Sequence, residues 1–549
     1  MLSCCLKGLP VHSVSTETGL DKEEVFEILR MLVDKNLVSW KIEIPSQSTD
    51  PDQDLVRFIQ KHSLDQKQVC DIAKVHEILA CKDKAKSSFG EIHAIEKVLK
   101  ETNDLFENYT GQSSKRKGGQ AYAGRDIMYM DCSRDVDFFF GEEFLKKITP
   151  PMSLLLKSVR WYTYEIAKVY KKMASETVDS ASANKRVCLA EVLDRIMPEM
   201  QRNWIENKPA PQIAPIVSLF RDKWSRLLGV DSSTSLIHRS SQELESAVDE
   251  EFHAPYPGWP SARIASPRFC ISAPSLRDVQ SGNYLIACTE LMPSINFFCH
   301  PVMYLSYSKP SGFIEELRKD VPIVTCTIPF EEGNRVARRF FKSVRNTYSL
   351  LVDFASSDYP QERRLSVKDL VVEKNGTELV VRNINNNDLY SLESVLDDLL
   401  SAVAYRDCLL TWDQDHSPRV QIDDLVIARE SWTILPKDLE PLSKEHTSNR
   451  FLAAQRWLKR AGLPQQFFAY LPPESPLYVD FQSPISIDIF LKQVKQKHGP
   501  FMISELFPTL ENTFLPNRQG ETYTSEFHLI SVDPLSWTCG WSVFDSSLK

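Results

Sequence analysis

No run of eighteen apolar residues occurs in this 549-residue chain, so nothing in it reads as a membrane-spanning helix. The amino terminus, Met1-Leu2-Ser3-Cys4-Cys5-Leu6-Lys7, lacks a charged region followed by a long apolar stretch and is not a secretory signal. There is no Cys-x-x-Cys pair. The twelve cysteines lie singly apart from Cys4-Cys5, and the eleven histidines are as dispersed. That scatter offers no spacing suited to zinc and reads as buried thiols in a reducing cytoplasm. Cys299-His300 is the one Cys-His neighbour pair, but nucleophile and base are seldom sequence neighbours, so it is set aside. Neither a Gly-rich Walker loop nor a dinucleotide fingerprint is present. Positive charge is not in excess either: the net charge of −9 excludes an all-over nucleic-acid surface and leaves room only for a local basic patch.

What is present is ordinary in bulk. With 42% apolar and 25% charged residues the composition is that of a soluble globular protein, long enough for two or three domains. Residues 1–45 read as a small winged-helix unit. Asp21 can cap a helix whose apolar positions Val25, Ile28, Leu29 and Leu32 repeat at helical spacing, and Leu37 to Ile42 then alternates like a strand. The helix begins Asp-Lys-Glu-Glu, too acidic to read DNA, which makes the unit a scaffold element. A polar helical connector follows over 46–117, ending in the basic run Ser113 to Gly119. From Pro150-Pro151 a long helix is expected to about Met173, with Leu154, Leu155, Val159 and Tyr162 facing the core. Residues 232–262, Ser-rich and then Pro-rich, read as a long surface loop. After residue 360 the texture turns to strands. Leu365 to Val372 is echoed by Val420 to Ile427, one short internal echo rather than a solenoid period. Strands and helices without regular alternation indicate an α+β architecture.

The densest stretch is Gly118-Gly119-Gln120-Ala121-Tyr122-Ala123-Gly124-Arg125, continuing to Tyr129-Met130-Asp131-Cys132-Ser133-Arg134-Asp135. Glycine serves where backbone turns sharply or approaches a ligand closely. Arginine binds a carboxylate or phosphate through two parallel hydrogen bonds. A Gly-Gly turn delivering Arg125 beside Asp126, Asp131 and Asp135 thus suits an anionic group; a tight hairpin with a surface salt bridge accounts for the same residues. A second candidate is the helix Arg335 to Arg345. Its cations Arg335, Arg338, Arg339, Lys342 and Arg345 fall on one face, with Val336, Ala337, Phe340, Phe341 and Val344 on the other. Such a stripe can meet a phosphate backbone, or simply be solvated.

The run Tyr122-Ala123-Gly124-Arg125 through Asp135 resembles a signature of the class I lantibiotic dehydratases, in their tRNA-dependent glutamylation region. Further blocks are similar to that family in the same order: Pro257-Gly258-Trp259-Pro260-Ser261-Ala262-Arg263, Glu290 to Asn296, and His416-Ser417-Pro418-Arg419-Val420 leading into Arg429-Glu430-Ser431-Trp432. Phe467 to Asp480, Glu505-Leu506-Phe507-Pro508 and Tyr523-Thr524-Ser525-Glu526 complete the series. Departures exist. After Arg263 family members tend to have His and then Ser-Pro-Asp, whereas this chain reads Ile264-Ala265-Ser266-Pro267-Arg268. The family also carries a long segment ahead of the winged-helix region and a separate elimination domain after the glutamylation region. On that ground the chain is expected to depend on a partner, and to expose an apolar surface where such a segment would pack.

The resemblance implies an α+β protein whose residues 118–549 form a glutamylation core. It implies transfer of an amino acid, glutamate in the best-known members, from aminoacyl-tRNA to Ser or Thr side chains of a ribosomally made precursor peptide. No metal or cofactor is implied beyond that co-substrate. Arg125 is the first choice for stabilising the oxyanion, with Tyr122 and Asp131 shaping the pocket. Arg134, Asp135, Arg429, Glu430, Thr524, Ser525 and Glu526 are the implied substrate-binding residues, although a buried salt bridge and a strand-end hydrogen-bond cluster explain the last five equally well. The basic helix is the tRNA candidate. A separate elimination protein is an implied partner. Two other readings stay open: ligation of an amino acid to a peptide C-terminus from aminoacyl-tRNA, and a catalytically incomplete module that presents the peptide to other enzymes.

Overall fold

The computed structural model describes residues 1–6, 11–35, 37–38, 51–62, 66–115, 126–128, 136–181, 186–206, 209–297, 307, 319, 325–327, 347–351, 363–408, 410–412, 414–472 and 476–537. Two compact units are present. The first comprises residues 1–131, 328–342 and 349–366, the second residues 132–327, 343–348 and 367–549.

In the first unit, helices α1 (Leu2–Leu6), α2 (Val11–Thr18) and α3 (Lys22–Asp34) enclose a small core of Cys4, Val14, Val25 and Leu29. Helix α3 starts where its sequence sets it. The Asp21 carboxylate accepts the Glu24 N–H at 2.8 Å while Glu24 accepts the Asp21 N–H at 3.0 Å, a reciprocal cap that satisfies two free donors of the first turn. The segment expected to form the following strand lies almost wholly outside the described residues. Helices α4 (Pro51–His62), α5 (Gln66–Ser87) and α6 (Ile92–Thr110) come next. Cys81 and Ala85 of α5 meet Val98 of α6 in a core of their own, bordered by Leu105 and Met128.

The second unit is organised around one long helix, α7 (Glu142–Ser180). The expected helix from Pro150 is real but begins eight residues earlier, and both prolines lie inside it. Prolines are tolerated best in a first turn; inside a helix each removes a hydrogen bond and crowds the preceding turn, at about 3 kcal/mol. Burial on both sides of the pair offsets that cost: Phe144, Ile148, Pro151, Met152, Leu154, Leu155, Val159, Tyr162 and Ile166 are all buried. Glu142 and Glu143 in the first turn complement the helix dipole. Helices α8 (Leu189–Glu206), α9 (Ala214–Leu228) and α10 (Ser241–Glu251) pack on α7. The Trp224 indole of α9 donates to Ser158 Oγ at 3.1 Å, so a fully buried ring keeps its polar atom paired.

Residues 232–262 are not a surface loop. They hold a strand and α10, capped by Ser240 Oγ, and then dive into the core, where Trp259, Pro260, Ser261 and Ala262 are buried. Serine and proline here serve as caps and element starts rather than as loop composition. Gly258 makes the dive possible: a Cβ there would stand 2.2 Å from the Thr163 carbonyl oxygen of α7. Beyond it, the Trp259 indole donates to Ser401 Oγ at 3.0 Å, and Ser261 N–H donates to Asp397 at 2.8 Å, anchoring the segment on α11 (Asp397–Asp407).

Among the described residues the three largest sheets have strands interleaved in sequence with these helices or following them. A four-stranded antiparallel sheet runs β1 (Val187–Cys188), β5 (Leu370–Asn375), β6 (Glu378–Asn383), β7 (Leu389–Ser391). A six-stranded mixed sheet has the order β2 (Leu236–Arg239), β9 (Arg419–Ile422), β10 (Leu425–Ala428), β4 (Leu285–Glu290), β3 (Arg268–Ser272), β15 (Glu526–His528). Its β2–β9 and β10–β4 pairs are parallel and the rest antiparallel. An antiparallel sheet of five runs β8 (His416–Ser417), β11 (Ser431–Ile434), β14 (Phe501–Glu505), β12 (Gln466–Tyr470), β13 (Leu477–Asp480). It buries Phe467, Phe481, Phe490 and Ile503 with α12 (Pro436–Lys444), α13 (Thr447–Ala461) and α14 (Pro484–Val494). The architecture is α+β. The echoed segments around 365 and 420 land in different sheets, each a strand, a short turn and a second strand.

Candidate functional site

Chain blocks far apart in sequence converge where the five- and six-stranded sheets adjoin at β8–β9, β10–β11 and β14. His416 and Arg419 begin strands and Glu505 ends one, and each of the three meets a charged side chain of another block. Arg419, first residue of β9, forks onto Glu505, last residue of β14: Nε donates to Oε1 at 2.8 Å and a second nitrogen donates to Oε2. Its guanidinium also lies 4.5 Å from the centroid of the Phe507 ring. Glu505 does double duty, accepting the Glu430 N–H at 2.9 Å and donating its own N–H to the Glu430 carbonyl at 2.9 Å. The Glu505 carboxylate raises the already high pKa of Arg419 further, against the opposing effect of burial.

Glu430 continues the network. Its carboxylate stands 2.8 Å from His416 Nε2, while His416 Nδ1 stands 2.8 Å from the Ser232 carbonyl oxygen. The imidazole lies over Trp432, with ring centroids 5.7 Å apart and planes 25° apart. Burial alone would lower the pKa of His416; the Ser232 carbonyl and the Glu430 carboxylate outweigh it and raise it above 6.5. Next to Glu430, Arg429 donates from Nε to the Phe507 carbonyl at 2.9 Å. Among the described residues no carboxylate lies within 4 Å of the Arg429 guanidinium, and its charge reaches Glu526 only at longer range.

A second cluster occupies the other end of the six-stranded sheet. Arg268 of β3 is bracketed by Glu290 of β4 and Glu526 of β15, each at 3.5 Å. Sheet register creates the bracket: Arg268 is opposite Glu290 across one ladder, and β15 pairs on its other side. Arg268 also stands where the family tends to have Asp after Ser-Pro, and its two carboxylate neighbours are the local compensation for that charge. Reduced hydration, then Glu290, raise the pKa of Glu526, while Arg268 and Arg429 pull it down. Cys270 beside it is raised by burial and by Glu526, and burial pushes the Cys288 thiol up to about 12. Both sulfurs therefore stay protonated and act as small apolar groups. His528 stacks flat on Phe297, with centroids 3.6 Å apart and planes 2° apart.

Of the sequence candidates, Arg429, Glu430 and Glu526 belong to these clusters. Thr524 is exposed, and Ser525 Oγ donates to the Tyr523 carbonyl at 3.4 Å. Tyr122, Arg125, Asp131, Arg134 and Asp135 lie outside the described residues, as do Arg335, Arg338, Arg339, Lys342 and Arg345 of the basic helix, and Cys299-His300. His416, Arg419, Glu505 and Glu290 stand in the sequence analysis only as parts of blocks, and Arg268 only as a departure, none of them as a site residue. The signal that could have found them is the placing of complementary charges at the ends of separate strand-like blocks, although no single block reveals its partner.

No sequence family and no curated protein matches this chain by sequence. Solved structures do match. One is the tRNA-dependent lantibiotic dehydratase MibB from Microbispora sp. 107891, 12% identical with a TM-score of 0.60, covering 91% of this chain and 50% of MibB. Another is the glutamylation domain TbtB from thiomuracin biosynthesis, 14% identical with a TM-score of 0.52, covering 95% of this chain and 62% of TbtB. The same domain bound to 5'-phosphodesmethylglutamycin gives a TM-score of 0.53 at 14% identity, with 95% and 63% covered. The chain thus spans between half and just under two thirds of these proteins. No helix among its described residues is long and apolar enough to cross a membrane. At such low identity the likeness is one of architecture: this chain shares the fold of the lantibiotic dehydratase MibB and of the TbtB glutamylation domain.

Proposed function

We propose that the protein transfers an aminoacyl group, glutamyl in the first instance, from aminoacyl-tRNA to Ser or Thr hydroxyls of a ribosomally made peptide. The carrying observation is the convergence of the His416–Arg419, Arg429–Trp432 and Glu505–Pro508 blocks on one charge network within a glutamylation-domain fold. Residues that resemble a family's blocks in sequence are thereby joined by hydrogen bonds in space. In the proposed step the peptide hydroxyl oxygen attacks the ester carbonyl carbon, the bond to the tRNA ribose oxygen breaks, and that oxygen takes up the proton. The negative charge on the carbonyl oxygen in between needs fixed donors. Arg125 is assigned that task, Tyr122 and Asp131 the shaping of the pocket, and Arg134 and Asp135 the binding of substrate. Arg429, with no described carboxylate within 4 Å of its fork, is assigned to an anionic part of the substrate, and Glu430 to holding it there. The cations from Arg335 to Arg345 are assigned to the tRNA backbone.

Mass spectrometry of a candidate peptide incubated with the protein and total aminoacyl-tRNA tests this reading. An added aminoacyl mass on a Ser or Thr side chain is the expected result, and fragmentation identifies both residue and amino acid. Addition at the peptide's C-terminal carboxyl would replace the reading with that of a peptide ligase. Peptide binding without any mass gain would replace it with that of a presenting module.

A further inference from the structure

We infer that His416 is a positively charged clasp, which ties the segment Asp231–Thr234 to the Glu430–Glu505–Arg419 network and lets go as its ring loses a proton. The geometry carries this. A neutral imidazole offers one donor and one acceptor. Here both ring nitrogens, each 2.8 Å from its neighbour, face oxygen acceptors: the Ser232 carbonyl and the Glu430 carboxylate. Only the doubly protonated ring satisfies both contacts; a neutral ring sets a lone pair against an oxygen at one of them. The Asp231 side chain is already committed to the Ser233 N–H and hydroxyl, so it shapes the tied segment rather than competing for the ring.

The groups around the ring decide the sign. Glu430 faces it directly, and Glu505 lies one hydrogen bond further on, through the Glu430 N–H. Asp415 precedes it in the chain, with its carbonyl accepting the Thr433 N–H of β11. Arg419 opposes the ring's charge but is itself forked onto Glu505. Trp432 contributes a π face. Two carboxylates near the ring against one paired guanidinium favour the cation, in agreement with a pKa raised above 6.5. A group whose folded pKa is raised stabilises the clasped form fully below its unfolded value. That stabilisation is lost as pH rises through the folded value. The clasp is therefore shut in mild acid and opens toward alkaline pH. Because Glu430 adjoins Arg429, His416 is also a positioning residue for the guanidinium assigned above to substrate.

The test needs no activity and so stands or falls apart from the proposed reaction. Histidine-specific 15N NMR of the full chain, with His416 assigned by the missing signal in His416→Gln, reads ring protonation directly. Both nitrogens should be protonated at pH 6.5, with a midpoint above it. Amide exchange of Ser233 and Thr234, corrected for intrinsic pH dependence, should speed up through that same midpoint. The gain in exchange is roughly tenfold per unit that the midpoint exceeds 6.5. In His416→Gln exchange should be fast at every pH, since Gln can donate to only one of the two acceptors in this geometry. A midpoint at or below 6.5, or exchange at Ser233 and Thr234 that ignores the titration, overturns the clasp. If the variant fails to fold, the NMR midpoint and exchange profile of the unaltered protein still decide.

Discussion

Arg419 and Glu505 show how a single ion pair can organise a site without taking part in chemistry. Glu505 is 9% exposed at its side chain and Arg419 29%, so neither charge is well hydrated if left alone. Glu505 also accepts the N–H of Glu430 and thereby sets the bend that presents Arg429. Glu505→Gln keeps the shape but removes the carboxylate forked by the guanidinium, leaving Arg419 only the more distant charge of Glu430. The expected loss is about 3 kcal/mol of stability, since breaking a poorly hydrated pair costs more than the pair was worth. Urea unfolding of the two proteins measures it, and a loss below 1 kcal/mol would show that solvent screens the pair. Arg125 is proposed as the opposite kind of residue, one that acts in the chemistry. Arg125→Ala should leave the melting temperature nearly unchanged and reduce acyl transfer roughly a hundredfold to a thousandfold, the usual weight of one oxyanion donor. Full activity would remove Arg125 from the site, and an unfolded variant would restore the hairpin salt-bridge reading. At this scale sequence was a partial guide. Arg429, Glu430, Glu526, His416, Arg419 and Glu505 all lie in blocks that resemble a family, but the pairings of His416 with Ser232 and of Arg419 with Glu505 join positions far apart in sequence, which local pattern cannot supply.

Elements repeat that division with a different cause. Helix α3 is legible because its cap, its acidic first turn and its apolar spacing are all local. The start of α7 is not, because burial of Phe144 and Ile148 in tertiary packing outweighs the two prolines that would otherwise mark a first turn. The segment from Pro257 to Arg263 misleads in the same way: its Pro and Gly content reads as loop, yet Gly258 is there to let the backbone touch α7. Gly258→Ala is therefore expected to cost more than about 3 kcal/mol, beyond ordinary overpacking, since the added carbon meets a backbone oxygen that no rotamer change can move. A thermal melt of the variant tests this; near-normal stability would mean that α7 shifts aside freely. The stripe from Arg335 to Arg345 is an element-scale proposal as well. Replacing Arg338 and Lys342 by Ala should weaken tRNA binding and lower the slope of log affinity against log salt by roughly one to two units. An unchanged slope would leave those cations as a solvated face.

Across the whole molecule the response to pH depends on which charges the fold holds against their preference. Glu393 is one such case in the body around α7. It is buried, and it shares Lys171 with Glu378, so one ammonium serves two carboxylates. Burial raises the pKa of Glu393 above 4.5 with some help from Glu378, and Lys171 does not cancel the rise. Lys171 itself is lowered by burial and raised more strongly by the two carboxylates, so it stays charged. For a carboxyl with a raised folded pKa the native state binds more protons than the unfolded chain between 4.5 and that value. Stability from this group is then greatest below pH 4.5 and falls as pH rises through the window, opposite to a carboxylate paired in the usual way. Glu526 pushes in the same direction by the same route. Glu393→Gln removes the buried charge while keeping an acceptor for Lys171, so the variant should match the parent protein at pH 4.5 and exceed its stability at pH 8. Chemical unfolding at both values measures the difference. A variant that is less stable at pH 8 would mean that the Lys171 pair outweighs burial, and the sign of the folded-state shift at Glu393 would have to be reversed.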